Sequence, residues 1–219
     1  MSNILIIKHG SLGDLIQANG AIKDIKNKFP EDKVLLLTTP HYSKFMYSCP
    51  YIDGVLIDKR LPRWNLFYLF RLKKMLNRFS FSKVFDLQNS SRTSFYKKVL
   101  FPNSNYNSWS SSETTLPSNT TKEEFDKLSV LERFDHQLKT SGLNTKHTLK
   151  PNFDWSCSDI SEINSKFKLG RYIILFPFCS PHLHLKKWPH YNELIKLIKD
   201  ELKNEYKVVI APGPNELQE

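Results

Sequence analysis

The chain has 219 residues, 40% hydrophobic and 13% aromatic, which suffices for one large α/β domain or one domain and part of another, and excludes disorder of the whole. Its net charge of +10 is local: residues 59–98 hold eleven Lys/Arg against a single acid, Asp86, and the remainder balances. Three scattered cysteines, Cys49, Cys157 and Cys179, exclude a disulfide framework and a C-x-x-C zinc site and read as reduced thiols.

The first aliphatic run, "NILIIK" (3–8), is interrupted by Lys8 and His9, so it does not read as a signal peptide, and no window reaches the roughly 18 apolar residues of a membrane span. A cytoplasmic protein is expected. A helix from about 14 to 28, a strand "KVLLLTT" (33–39), a short helix near 41–48 and a strand "GVLID" (54–58) follow. Strands written as unbroken Ile/Leu/Val runs are buried on both faces, which predicts a parallel sheet with crossover helices. Next come a helix over 64–78, a strand "KVFDLQ" (83–88) and a helix over 90–100.

Residues 102–122 are crowded with Ser, Thr, Asn and Pro and read as a loop, either a lid or a mobile connection. Apolar residues at spacings of three and four predict one helix over 123–141, stopped by Gly142. After a weak stretch from 143 to 170, a second α/β unit opens with "RYIILFPF" (171–178), a helix from Pro189 to about Asn204, and "YKVVIAPG" (206–213). We therefore expect an N-terminal domain over 1–150 and the beginning of another, incomplete, over 151–219, because one strand–helix–strand unit cannot bury both faces of its own sheet.

The first strand runs into Gly10-Ser-Leu-Gly13-Asp14. Glycines admit positive φ and close approach of a ligand to the backbone, and a helix start offers free N–H groups. The spacing is neither a P-loop nor G-x-G-x-x-G. On its own the pattern leaves two readings for Asp14, a residue complementing the helix dipole or a group that does chemistry.

Together, three ordered segments are more specific. "ILIIKHGSLGDLIQANGAIKDIKNKFP" (4–30), "DLQNSSRTSFY" (86–96) and "LFPFCSPHLHLKKWPHYNELIKLI" (175–198) resemble glycosyltransferase family 9, which includes the ADP-heptose:lipopolysaccharide heptosyltransferases. The resemblance implies a GT-B architecture of two Rossmann-like domains, with the acceptor bound by the first and a nucleotide sugar by the second. It also implies that this chain stops short of the family's usual length.

By the same resemblance Asp14 is the general base of an inverting, metal-independent sugar transfer, with Gly10, Ser11 and Gly13 forming the loop toward the acceptor. A sugar hydroxyl is a poor nucleophile until a carboxylate takes its proton, and one carboxylate without a covalent intermediate implies inversion. Lys186 matches the family's phosphate-contacting lysine, Ser180 its small hydroxyl residue, and Glu216 the acid that contacts the nucleotide's ribose. The donor implied is of the ADP-heptose type, the acceptor an anionic lipid-linked glycan such as a lipopolysaccharide core, and no cofactor is implied. The chain departs from the family at Pro177-Phe178, where Pro-Gly is usual. His182-x-His184 has no third metal ligand placed beside it and reads as a solvated loop.

The basic segment "KRLPRWNLFYLFRLKKMLNRFS" (59–80) mixes aromatics with cations. It suits either peripheral contact with an anionic membrane, here the inner face of the inner membrane, or ordinary packing on the sheet. A truncated, non-catalytic glycan- or nucleotide-binding relative is the alternative to the enzyme. A nucleic-acid-binding domain rests on charge alone and lacks a docking motif.

Overall fold

The computed structural model describes residues 2–103, 108–179, 185–203 and 205–212. The chain divides into two compact units, Met1–Cys157 and Ser158–Glu219.

In the first unit the strands β1 (Asn3–Ile7), β2 (Lys33–Thr38), β3 (Gly54–Ile57), β4 (Phe81–Asp86) and β5 (Trp109–Ser110) form a five-stranded sheet in the order β3-β2-β1-β4-β5. Every pairing is parallel. Ile4 and Ile6 enter one core with α1 (Leu12–Lys28), while Leu5 and Ile7 enter another with α3 (Leu66–Leu76) and α4 (Ser91–Leu100). Burial on both faces is why the strand carries no polar alternation. Helix α2 (Pro40–Tyr47) adds Met46 to the first core. The unit closes after a single turn at Asp154–Ser156, where Phe153 and Trp155 pack on Phe45 of α2.

Two expectations are corrected. The polar stretch 102–122 is not wholly loop: Trp109–Ser110 adds a fifth strand beside β4, and Ser110, Ser111, Ser112 and Thr115 are buried. These polar residues are buried because they are satisfied. The Gln137 side chain donates to the Ser110 carbonyl and hydroxyl, and the Ser112 N–H donates to Asn89 Oδ1. The single helix expected over 123–141 is two, α5 (Lys122–Phe125) and α6 (Val130–Thr140). Each opens on a capping box, Thr121 with Glu124 and Ser129 with Glu132, and the second box stops the first helix from running on.

Helix α1 is held along its length. A β-carbon on Gly20 would lie 2.1 Å from the His147 carbonyl oxygen, so only glycine lets the 147–148 backbone pass this close. One turn on, buried Asp24 accepts the backbone N–H groups of Lys146, His147 and Thr148 and the Thr148 hydroxyl at 2.8–3.0 Å on Oδ2.

The second unit has α7 (Ser161–Phe167), β6 (Tyr172–Leu175), α8 (Tyr191–Glu201) and β7 (Lys207–Ile210), with β6 and β7 parallel. None of its described side chains is fully buried, and Ile174, Leu197 and Ile210 are exposed. No helix among the described residues is long and apolar enough to cross a membrane.

Candidate active site

The strand order reverses between β1 and β4: the chain steps outward from β1 through β2 to β3 and then returns to place β4 on the other side of β1. Loops leaving the C-terminal ends of two such strands part from each other, and the gap between them is where open α/β sheets bind ligands. Here the gap is a cavity of about 140 Å³ lined by Lys8, Asp14, Gln88, Asn89, Ser112 and Arg133, among others. It has room for about four or five waters.

Helix α1 begins at Leu12, so Asp14 is its third residue and not its first. Ser11 stands at the cap position with extended backbone, and both its N–H (2.6 Å) and its hydroxyl (3.1 Å) donate to Asp14 Oδ2. Oδ1 has no hydrogen-bond partner among the described residues. The carboxylate therefore caps its own helix through Oδ2, and the residue also lines the cavity. Gly10 is left-handed at φ +111°, and a β-carbon there would lie 2.3 Å from Tyr42 Cε2. Gly13 differs, because a β-carbon on it would meet no atom within 4 Å. Ordinary backbone and empty space make Gly13 dispensable to the fold.

The two loops are laced together. Lys8 Nζ donates to the Leu87 carbonyl at 3.1 Å, and the His9 N–H donates to Gln88 Oε1 at 3.0 Å. Burial lowers the Lys8 ammonium from its ordinary range; the Asp14 and Asp86 carboxylates oppose that shift and Arg133 adds to it. Arg133 reaches the cavity from α6 and pairs with Asp126 at 2.7 Å. On the β4 side, burial raises the Asp86 carboxyl to about 6, although the N–H groups of Gln88 and Asn89 donate to Oδ1 at 3.0 Å. Asn89, left-handed at φ +49°, donates to Gln137 and accepts from Ser112, which fixes the far wall. One carboxylate and two cations thus face a small polar cavity: a base for a hydroxyl proton, and positive charge for an anionic substituent.

A second buried cluster lies at the ends of β1 and β3. His9 Nε2 stands 2.8 Å from Asp58 Oδ2, both side chains fully buried, and the Tyr68 and Tyr96 hydroxyls donate to the same carboxylate. Burial pushes Asp58 up, but His9 and Tyr68 together bring it down to about 2. This cluster holds the turn behind Gly10 rather than facing the cavity.

Asp14, the residue singled out in the sequence, lines this cavity together with Lys8, Asn89 and Arg133, which the sequence reading did not single out. Lys8 sat in plain view as a cation ending a buried strand; Arg133 carried no signal, being 119 positions from Asp14. In the second unit Lys186 is exposed and Trp188 packs edge-on against His190 and Tyr191. Lys187 lies over the Phe178 ring at 5.8 Å. Ser180, His182, His184 and Glu216 lie outside the described residues.

No protein-family model and no curated protein matches the sequence. The fold does match solved structures. It is similar to a glycosyltransferase family 9 protein from Veillonella parvula DSM 2008, with a TM-score of 0.71 at 18% identity, covering 99% of this chain and 64% of that one. It is similar to the E. coli heptosyltransferase WaaC with ADP-2-deoxy-2-fluoro heptose (TM-score 0.62, 15% identity, 99% and 71%). The E. coli ADP-heptose lps heptosyltransferase II matches with a TM-score of 0.64 at 17% identity, over 98% and 65%. The chain thus spans about two thirds of the length of these proteins and shares their GT-B-type fold over that span.

Proposed function

We propose that the chain is part of an inverting glycosyltransferase of the heptosyltransferase type, its first unit binding the acceptor and its second the nucleotide sugar. The observation that carries this reading is Asp14 at the strand-order reversal, lining one cavity with Lys8 and Arg133, its Oδ1 without a hydrogen-bond partner among the described residues. In the proposed reaction the acceptor hydroxyl gives its proton to Asp14 as its oxygen attacks the anomeric carbon, and the bond to the nucleoside diphosphate breaks on the opposite face. The configuration at the anomeric carbon is inverted, and the electron pair of the broken bond leaves with the diphosphate. Lys8 and Arg133 hold an anionic group of the acceptor. Lys186, with Ser180 and Glu216, is assigned to the donor, where cations and helix-end amides stabilise the charge on the departing diphosphate. That the WaaC structures hold ADP or an ADP-heptose analogue supports a donor of this class.

Asp14→Asn tests the assignment, because asparagine keeps an oxygen for the Ser11 N–H and leaves the helix capped. Turnover from an ADP-heptose donor should fall by about 10²–10⁴ with donor affinity and melting temperature unchanged. Lys186→Ala should weaken ADP binding instead. Turnover by Asp14→Asn equal to the parent chain rejects Asp14 as base. The exposed second unit favours one other reading, a binding-only relative; ADP binding without transfer in the parent chain would establish it.

A further inference from the structure

Helix α3 has two faces. Tyr68, Leu69, Leu72 and Leu76 are buried against the sheet, whereas Phe67, Phe70, Arg71 and Lys74 form an exposed stripe at helical spacing, and Arg78 is exposed just past the helix end. Just ahead of the helix, Trp64 is 83% exposed, and Phe67 and Phe70 are 70% and 65% exposed. Water gains nothing from these rings. The sole acid of residues 59–98, Asp86, is buried, so the segment's exposed cations, Lys59, Arg60, Arg63, Arg71, Lys74, Arg78 and Lys98, meet solvent without any exposed carboxylate from the segment itself. A groove of about 370 Å³ opens within the patch between apolar Ile57, Leu61, Phe67 and Met75, with Lys59 and Arg71 in its walls. The loop before α3 is braced against the start of α4, where Arg92 donates to the Leu61 carbonyl and Arg63 to the Ser91 hydroxyl. The patch is thus held beside the loop after β4 that walls the Asp14 cavity.

We propose that this face docks on an anionic lipid bilayer, the rings of Trp64, Phe67 and Phe70 entering the interface and the flanking cations meeting headgroup phosphates. Charge decides the occupant: a protein partner would need matching acids around an aromatic centre, whereas an anionic bilayer supplies negative charge above apolar depth everywhere along its surface. The inference stands on the patch alone, and under the proposed function it would bring a lipid-linked acceptor to the cavity.

Co-sedimentation tests it with phosphatidylcholine vesicles, alone and with about a quarter phosphatidylglycerol. The chain should bind the anionic vesicles, not the neutral ones, and should be released as salt shortens the Debye length from about 10 Å at 0.1 M to about 3 Å at 1 M. Trp64→Ser with Phe70→Ser, both exposed, should keep the melting temperature and lose binding roughly tenfold or more. Lys74→Gln with Arg78→Gln should lose roughly thirtyfold, about fivefold per charge. Equal binding to neutral vesicles, undiminished binding by the ring variant, patch-dependent self-association, or displacement of vesicles by a single-stranded oligonucleotide would each overturn the proposal. Transfer to a delipidated, soluble acceptor should be untouched by Trp64→Ser with Phe70→Ser, which separates failure of docking from failure of the transferase reading.

Discussion

Gly13→Ala separates what the fold requires from what a substrate requires. Gly13 is the second residue of α1, its φ is not in the left-handed region, and a β-carbon there meets nothing within 4 Å. Glycine costs a helix roughly 0.5–1 kcal/mol relative to alanine, so the variant should gain about 0.5 kcal/mol at this first-turn position. In a unit of this size that raises the melting temperature by roughly 1–2 °C, read by far-ultraviolet circular dichroism. Gly10→Ala has the opposite sign: at φ +111° with Tyr42 Cε2 2.3 Å from the new carbon, it should lose about 1–3 kcal/mol. If the empty space beside Asp14 is where the acceptor enters, Gly13→Ala will be the more stable protein with the higher acceptor KM. A Gly13→Ala protein that melts below the parent, or a Gly10→Ala protein that melts with it, refutes the loop geometry; a stabilised Gly13→Ala with unchanged KM refutes the substrate path.

Asp24→Ala leaves three backbone N–H groups and the Thr148 hydroxyl without their buried acceptor, and should cost about 3–5 kcal/mol in urea unfolding. A loss under 1 kcal/mol would show that the 146–148 segment is held by other means. Two buried carboxylates tilt stability with pH in opposite senses. Asp86, raised to about 6 by burial, contributes stability that is complete below its unfolded value of 3.8 and is lost, by about 3 kcal/mol, as pH rises through 6. Asp58, held near 2, contributes about 2 kcal/mol that is complete above 3.8 and is lost as pH falls through 2. Urea midpoints followed from pH 2 to 8 should decline on both sides of pH 4, and Asp86→Asn should abolish only the decline between 4 and 6; a variant that keeps that limb contradicts the assignment.

The parallel sheet was legible because its central strands are aliphatic on both faces, a pattern that no helix boundary interrupts. Strand β5 was not, because two residues inside a polar stretch carry no periodicity; Trp109 is a strand residue only by virtue of pairing with Val84 and packing on Phe101. The break between α5 and α6 was written in the sequence, as Ser129-x-x-Glu132, but apolar spacing runs straight across it. Asp14 was singled out through a resemblance of motifs, and Lys8 and Asn89, which line the same cavity and come from segments of that same resemblance, were passed over. Arg133 could not be reached by reading along the chain, since its place follows from α6 packing beside α1, a fact of three dimensions.

The clasp between Gly20, Asp24 and residues 146–148 binds the middle of α1, and the same helix presents Asp14 at its tip. No part of that clasp can drift alone: a methyl at position 20 collides with a carbonyl, and a residue without a side-chain acceptor at 24 strands three amides. In a lineage of such chains, substitutions there should arrive jointly or be purged, so inheritance at sites far from the cavity would still report on the aim of its carboxylate.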